Sequence, residues 1–375
     1  MDVKLIVPNF GFRGRIMARS ELQFTVEKVG PRFPVVSGPH LEAKVKSVLR
    51  RERPDFVLVA NGNLFKPYLI RASLEIPCAV KLYCYEMMCP MSFGLMFRNG
   101  KICEYNFLKY PFRCALCLDD KRRIVSNPDP ERAEFLRSFA FLYPVYHRLV
   151  EKSLTVPAGF IATSLYMKSR FREAIDDSRI TVIPEGVEAG RFVPVTKRPD
   201  QVKRVFFPGR TWDAMKGFDV LIRACRMLSR KRKDFRVCVS GSERPGFSYP
   251  SFVEFLGWVS ESDLPITYGT SDVVVIPSIW PEPFGLSGLE AMSCAVPVLA
   301  SRTGGIVDFI EHEEDGLLVE PGDHIGLCEQ LDYILDDEDE RHRLGNNARK
   351  KVLGEYAWPK ITDRYVNLFK RMVSE

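Results

Sequence analysis

No stretch of the 375 residues approaches the run of about 20 consecutive apolar residues that a membrane-spanning helix needs, so no spanning segment is expected. The opening residues Met1-Asp2-Val3-Lys4-Leu5-Ile6-Val7 lack the long apolar segment and small-residue cleavage site of a signal peptide. They read as a first strand, and the chain is expected to stay in the cytoplasm. There is no repeat at solenoid period and no low-complexity tract, which argues against stacked-repeat and disordered classes. Net charge is only +6, which permits an anionic substrate or membrane surface but demands neither. The densest basic run, Arg230-Lys231-Arg232-Lys233, reads as a solvated helix end or loop, and no nucleic-acid partner is expected.

The composition that remains, 46% apolar and 27% charged, is that of a globular chain. Its length exceeds one ordinary core and fits two domains. Strand-like runs at 4–8, 56–60, 79–84, 153–156, 159–162 and 180–183 lie between helical segments in the first half. A polar, Pro-containing stretch at 194–201 is the best linker. A second series of runs follows at 204–207, 236–239, 253–255, 272–276, 297–300 and 316–319, and nearly every one ends in Gly, Ser or Pro. Helical patterns at 218–229, 285–293, 325–335 and 339–356 fit between them. Repeated strand–helix alternation predicts an α/β fold with parallel sheets covered on both faces. The expected organisation is a Rossmann-like domain at 1–193, a second at 202–356, and a final helix at 357–375 packing back on the first. Binding loops of such sheets sit at the carboxyl ends of the strands.

Two strand ends carry chemistry. After the run at 204–207 come Gly209-Arg210 and, six residues on, Lys216-Gly217. Arg offers a planar fork and Lys a compact charge to a diphosphate, while glycine allows close approach of the backbone. Surface charges flanking turns are the other reading of the same residues. After the run at 272–276 comes Glu282-Pro283-Phe284-Gly285-Leu286-Ser287-Gly288-Leu289-Glu290. Glu290 falls among apolar helical residues, where a carboxylate is costly unless something satisfies it. A ribose diol would do so with two hydroxyl donors; an internal Arg or Lys is the alternative.

In this order over roughly residues 180–340, the motifs resemble the retaining glycosyltransferases of family 4, whose architecture of two facing Rossmann-like domains is termed GT-B. Gly209-Arg210, Lys216-Gly217, Glu282, Glu290, Gly304-Gly305 and Pro321-Gly322-Asp323 carry the resemblance, and Glu185-Gly186-Val187 stands where Asn-Gly-Val is usual. It implies transfer of a hexose-type sugar from a UDP- or GDP-sugar to a hydroxyl of a glycan, lipid-linked or small-molecule acceptor, with retention at the anomeric carbon. Arg210 and Lys216 would hold the diphosphate. Glu290 would hold the ribose. Glu282 with the amides of Phe284, Gly285 and Leu286 would touch the sugar, and Gly257-Trp258-Val259 would meet the base. No catalytic divalent metal is implied, since protein cations replace it, and no Asp-x-Asp lies near a strand end. An epimerase or hydrolase on the same scaffold, and an inactive zinc-stabilised binding protein, are the rival readings.

The first half departs from the pattern. The loop after the first strand, expected to face the donor, reads Pro8-Asn9-Phe10-Gly11-Phe12-Arg13-Gly14-Arg15, with Gly11 and Gly14 separated rather than adjacent. Where many relatives place a histidine, this chain has Tyr83. A tyrosine is a weak base at neutral pH but can donate a hydrogen bond to a sugar. That leaves the departing phosphate, or Glu86, to help the acceptor. Four cysteines, Cys89, Cys103, Cys114 and Cys117, lie in an insertion at 87–140. Their spacing suggests a structural zinc, with an iron–sulfur cluster or four unliganded thiols as alternatives. Aromatic residues beside Arg98, Lys101, Lys109 and Arg113 suit peripheral contact with the inner face of a membrane, or a core.

Overall fold

The structure, a computed structural model, describes residues 3–8, 25–29, 38–62, 65–89, 102–119, 143–196, 202–244 and 246–374. Every strand pair in it is parallel. β1 (Lys4–Pro8) and β2 (Thr25–Val29) form a two-stranded sheet. β3 (Val57–Val59), β4 (Cys78–Leu82), β5 (Gly159–Ala162) and β6 (Ile180–Val182) form a second sheet in sequential order. The third has six strands in the order β12-β11-β10-β7-β8-β9. These are β7 (Lys203–Phe207), β8 (Phe235–Val239), β9 (Val253–Phe255), β10 (Val273–Ile276), β11 (Val298–Ser301) and β12 (Leu317–Val319).

The inner strands form because their residues are β-branched or aromatic and buried on both faces. Val273, Val274 and Val275 have no exposed surface, nor do Val298, Leu299 and Ala300. Helices supply the cover. Helix Phe218–Lys231 buries Phe218, Leu221, Ile222, Cys225 and Leu228, a stripe at helical spacing, against one face of the large sheet. Helix Leu286–Ser293 covers the other with Leu289, Ala291 and Met292.

Strand order fixes where a ligand can sit. From β7 the chain winds to β8 and β9 on one side, and from β10 to β11 and β12 on the other. The loops after β7 and β10 therefore leave in opposite directions and open a crevice at their carboxyl ends, the expected position in an open α/β sheet.

The last helix, Trp358–Ser374, crosses back to the four-stranded sheet. Ile361 and Leu368 pack with Ala79 of β4, Ile161 of β5 and Ile183, and the Phe369 ring lies 4.7 Å from that of Phe56. The return is stapled where Val187 N–H donates to Tyr356 O at 2.9 Å and Trp358 N–H to Val187 O at 3.1 Å.

Two expectations change. Residues 153–156 are not a strand: helix Tyr143–Ser153 buries Tyr146, Leu149, Val150 and Ser153 at helical spacing and ends in a turn before Pro157. The β-branched pair Thr155-Val156 is too short to override it. The helix expected over 339–356 is an α-helix only over Glu338–Lys351, and Val352–Tyr356 widens into a π turn.

Candidate active site

The crevice is built by the two strand-end loops. Its cavity, about 250 Å³, is lined by Gly209 and Arg210 after β7, by Lys216, by Ser278 and Glu282 after β10, and by Ser287 in the first turn of helix Leu286–Ser293. A wider depression of about 640 Å³ at Asp336–Asp339 and His342 is an open acidic turn that offers nothing to a phosphate.

Local structure aims the two cations. Arg210 donates to the buried Asp213 carboxylate at 2.7 Å and stacks 4.9 Å from the Trp212 ring centroid, so its guanidinium is held at the mouth. Asp213 also accepts from Met215 N–H at 3.1 Å and starts the 3₁₀ turn Ala214–Lys216. Lys216 then stands 2.7 Å from Glu282 Oε1 and 5.3 Å from the Trp280 ring. The chain can turn into the next helix only at glycine. Gly217 has φ +72°, and a Cβ there would lie 1.8 Å from Pro277 O.

Glu282 is 6% exposed. Ser278 Oγ–H donates to its Oε1 at 2.6 Å, beside Lys216. Its backbone is braced from β11: Gly305 N–H donates to Glu282 O at 2.7 Å, and a Cβ on Gly304 would meet that same oxygen at 2.2 Å. Gly304 and Gly305 thus support the Glu282 loop through the backbone. Gly285 adopts φ +110° and opens helix Leu286–Ser293, with Phe284 packed on Phe309 at 5.0 Å and Leu286 half-exposed. Amides at such a helix start favour an anion.

Glu290 sits one turn after Ser287 on that helix. Among the described residues no Arg or Lys forms a salt bridge with it. Its Oε2 accepts a hydrogen bond from Tyr268 Oη at 2.9 Å. Burial pushes its carboxyl up to about 7, against the Tyr268 hydrogen bond and the Arg191 charge, which lower it. Trp258 is 77% exposed in the loop after β9, two strands from β7, and does not line the cavity.

The loops after β4 and β5 of the four-stranded sheet close on this site with three hydrogen bonds. Tyr85 Oη donates to Pro281 O at 2.9 Å, Thr163 Oγ1 to Pro283 O at 3.2 Å, and Leu165 N–H to Asp308 Oδ2. Tyr85 is fully buried, edge-on to Trp280 at 6.2 Å. Two residues apart, Tyr83 and Tyr85 would share a face of a continuing strand, but β4 ends at Leu82 and the chain bends there: Tyr83 is 39% exposed, its ring 4.2 Å beneath Lys81 Nζ. Lys81 also pairs with Glu185 at 2.8 Å, joining β4 to the segment before the six-stranded sheet. Burial opposes its charge, but Glu185, Tyr365 and Tyr83 outweigh burial and raise its pKa.

Glu86 does not face the site, contrary to its offered role beside the acceptor. It is buried and paired with Lys66, which has no exposed surface, at 2.7 Å; Lys66 Nζ also donates to Lys81 O at 2.6 Å. The residue tethers the loop instead of serving a substrate. The four cysteines offered as a metal set are Cys89, Cys103, Cys114 and Cys117. All are half-buried, Cys89, Cys103 and Cys114 pack against the first core, and the described residues contain no group of three or more His, Cys, Asp or Glu placed to hold a metal. Gly11, Gly14, Arg13 and Arg15 lie outside the described residues.

Residues 191–351 match the family Glycosyl transferases group 1. An uncharacterized glycosyltransferase of Methanocaldococcus jannaschii is 36% identical over 179 residues, 46% of this chain and 45% of that protein. A D-inositol 3-phosphate glycosyltransferase of Salinispora tropica is 30% identical over 232 residues, 53% of this chain and 48% of that protein. The chain thus spans about half the length of the curated relatives it matches. Two solved structures superpose along almost all of it. Sucrose-phosphate synthase from Thermosynechococcus elongatus gives TM-score 0.70 at 19% identity, covering 99% of this chain and 89% of that one. Anabaena HepE in complex with UDP gives TM-score 0.70 at 18% identity, covering 99% and 100%. The fold is a two-domain Rossmann-like α/β architecture of the GT-B type.

Proposed function

We propose that this chain is a retaining glycosyltransferase that moves a hexose-type sugar from a UDP- or GDP-sugar to an acceptor hydroxyl. One observation carries the reading: Arg210, Lys216 and Glu282 line one cavity at the strand-order switch point, with Glu290 on the helix that starts there. The family matched by residues 191–351 supports the same assignment.

Arg210 and Lys216 bind the diphosphate, and the amides at the start of helix Leu286–Ser293 add to the field around it. Glu282 accepts from sugar hydroxyls, and Glu290 from the ribose diol. Gly209 lets the backbone approach the phosphates. Gly304 and Gly305 fix the Glu282 loop, and Trp258 flanks the base. The bond from the anomeric carbon to the β-phosphate oxygen breaks, and the acceptor oxygen bonds to the same face. The acceptor proton passes to the departing phosphate oxygen. Arg210 and Lys216 stabilise the charge that develops there, so the step needs no carboxylate base from the first sheet and no divalent cation. Tyr83 donates a hydrogen bond to the sugar or acceptor.

The acceptor belongs to the first-domain side. Phe112 and Leu116, 85% and 73% exposed one turn apart on helix Pro111–Asp119 beside Arg113, support a lipid-linked acceptor at a membrane surface. No helix among the described residues is long and apolar enough to cross a membrane. A cytoplasmic site at the inner face accords with this reading.

The experiment is calorimetry with UDP, GDP and ADP and their common sugars on wild type, Arg210→Ala and Glu290→Ala. One nucleotide binds selectively, and each substitution weakens it by about ten- to a hundredfold, the range for losing a charged hydrogen bond. Folded protein that binds none of the nucleotides sinks the assignment.

A further inference from the structure

Tyr268 lies outside every motif in the sequence, yet its ring is fully enclosed. It sits in helix Leu264–Gly269 and is 1% exposed. Phe206 of β7 meets it edge-on at 5.4 Å, and Phe192 meets it from the other side at 6.0 Å. A ring clamped between two aromatics has no freedom to swing its hydroxyl. That hydroxyl donates to Glu290 Oε2 at 2.9 Å. A buried phenol needs a hydrogen-bond partner, and a buried carboxylate needs donors, so each group answers the other.

We propose that Tyr268 is a positioning residue for nucleotide recognition: it fixes the Glu290 carboxylate in the rotamer and ionisation state that accept the two ribose hydroxyls. The inference rests on Glu290 being the ribose ligand, as in the proposed function. A carboxylate oxygen has two lone pairs. Tyr268 takes one on Oε2 and leaves the other, with both on Oε1, for the diol. Ser287, one turn back on the same helix, lines the cavity.

The groups that set Glu290's ionisation are few. Tyr268 faces it from helix Leu264–Gly269, Arg191 from the segment after β6, Glu261 from the turn before that helix, and Cys294 from the end of its own helix. Arg191 and Glu261 approach each other to 3.6 Å, so their effects on Glu290 oppose. Burial is the largest influence and favours the protonated acid; the Tyr268 hydrogen bond is the largest influence against it. Removing the phenol hydroxyl therefore raises the pH at which the ribose ligand ionises. A phenylalanine fills the same aromatic cage, so the packing is kept.

The test is binding of UDP, GDP and their 2′-deoxy forms to the full chain by calorimetry between pH 5.5 and 8.5. Wild type, Tyr268→Phe and Glu290→Gln are compared, with thermal melting as the folding check. Wild type favours the ribonucleotide, and the preference fades as pH falls through about 7. Tyr268→Phe moves that midpoint up by about one pH unit, which lowers the ionised fraction at pH 7, and with it the preference, roughly fivefold. Glu290→Gln shows little preference at any pH. If Glu290→Gln loses the preference while Tyr268→Phe keeps both midpoint and preference, the role of Tyr268 is overturned and the ribose site stands. If Glu290→Gln keeps the wild-type preference, or no nucleotide binds, the ribose site fails and the role of Tyr268 with it.

Discussion

Lys216 Nζ and Glu282 Oε1 meet at 2.7 Å across the two loops that leave β7 and β10 in opposite directions. The pair joins the two sides of the crevice, and Ser278 shares the same carboxylate oxygen at 2.6 Å. In the proposed mechanism, this cation is held ready for the diphosphate by the carboxylate that would accept from the sugar. On that reading, replacing Lys216 with Ala removes the charge that meets the leaving group and leaves the buried Glu282 carboxylate with the Ser278 hydrogen bond. Turnover is expected to fall by about 10² to 10³, the range for losing one donor to a developing oxyanion. Steady-state kinetics with the nucleotide sugar selected by calorimetry reads this out. A Lys216→Ala enzyme with wild-type kcat would remove Lys216 from the chemistry.

Gly217 and Gly190 form a matched pair of tests for backbone constraint. Gly217 is left-handed, with Pro277 O in the path of any Cβ; at Gly190 a Cβ meets nothing within 4 Å. Gly217→Ala is expected to cost more than about 2 kcal/mol, from strain plus displacement of the Pro277 loop. Gly190→Ala stays within about 0.5 kcal/mol of wild type. Urea denaturation of both variants checks the contrast, and equal midpoints would contradict the observed turn.

Lys66 and Glu86 are a buried ion pair under the loop that carries Tyr83 and Tyr85. Breaking it with Lys66→Met strands a carboxylate that is 3% exposed and already has one oxygen, Oε2, without a partner. The expected loss is about 3 to 5 kcal/mol. The double variant Lys66→Met/Glu86→Leu is expected to recover most of it, because two apolar groups remove the unpaired charge. Chemical denaturation of the single and double variants decides this. A double variant no more stable than the single would mean that the pair is needed for its bonds to Lys81 and not for its charge.

Legibility in the sequence followed distance along the chain. The six-stranded sheet could be read because nearly every one of its strands is a short apolar run closed by Gly, Ser or Pro, and the loop after β7 because Gly209-Arg210 and Lys216-Gly217 are neighbours. Glu290 stood out as a carboxylate among apolar residues, but its partner did not. Tyr268 lies 22 positions away in a six-residue helix too short to show periodicity. Asp213 orients Arg210 and yet looks like any turn aspartate. Glu86 misled for the converse reason: a carboxylate next to a strand end reads as functional until Lys66, 20 positions earlier, is seen to meet it. Tyr83 and Tyr85 are chemically identical, and only the direction each side chain takes decides which clasps Pro281.

That clasp should be separable from folding. Tyr85→Phe keeps the edge-on contact with Trp280 and deletes the hydroxyl that donates to Pro281 O. The lost bond alone is worth about 1 kcal/mol, so the melting temperature should drop by only a few degrees. Pro281 immediately precedes Glu282, however, and the closed approach of the two sheets runs through this contact. A larger effect on kcat/KM than on stability is expected. Thermal melting and steady-state kinetics on the same preparation compare the two, and parallel losses would mark Tyr85 as core packing only.

Glu290 also gives the ligand-free chain a pH signature of definite sign. Burial disfavours its charge and pushes the folded carboxyl up to about 7, from an ordinary carboxyl value of about 4.5. Between those values the folded state binds more protons than the unfolded state, so stability contributed here is present at low pH and declines as pH rises toward 7. The window of roughly 2.5 units corresponds to an order of 3 kcal/mol, levelling off above about pH 8. In Glu290→Gln the amide stays neutral, and Tyr268 can still donate to its oxygen. Relative to wild type, this variant is expected to gain stability on going from pH 5 to pH 8. Urea midpoints for both proteins at the two pH values measure the difference directly. A constant difference would mean that Glu290 is already ionised at pH 5. It would then have to be solvated or paired more strongly than its single bond to Tyr268 provides.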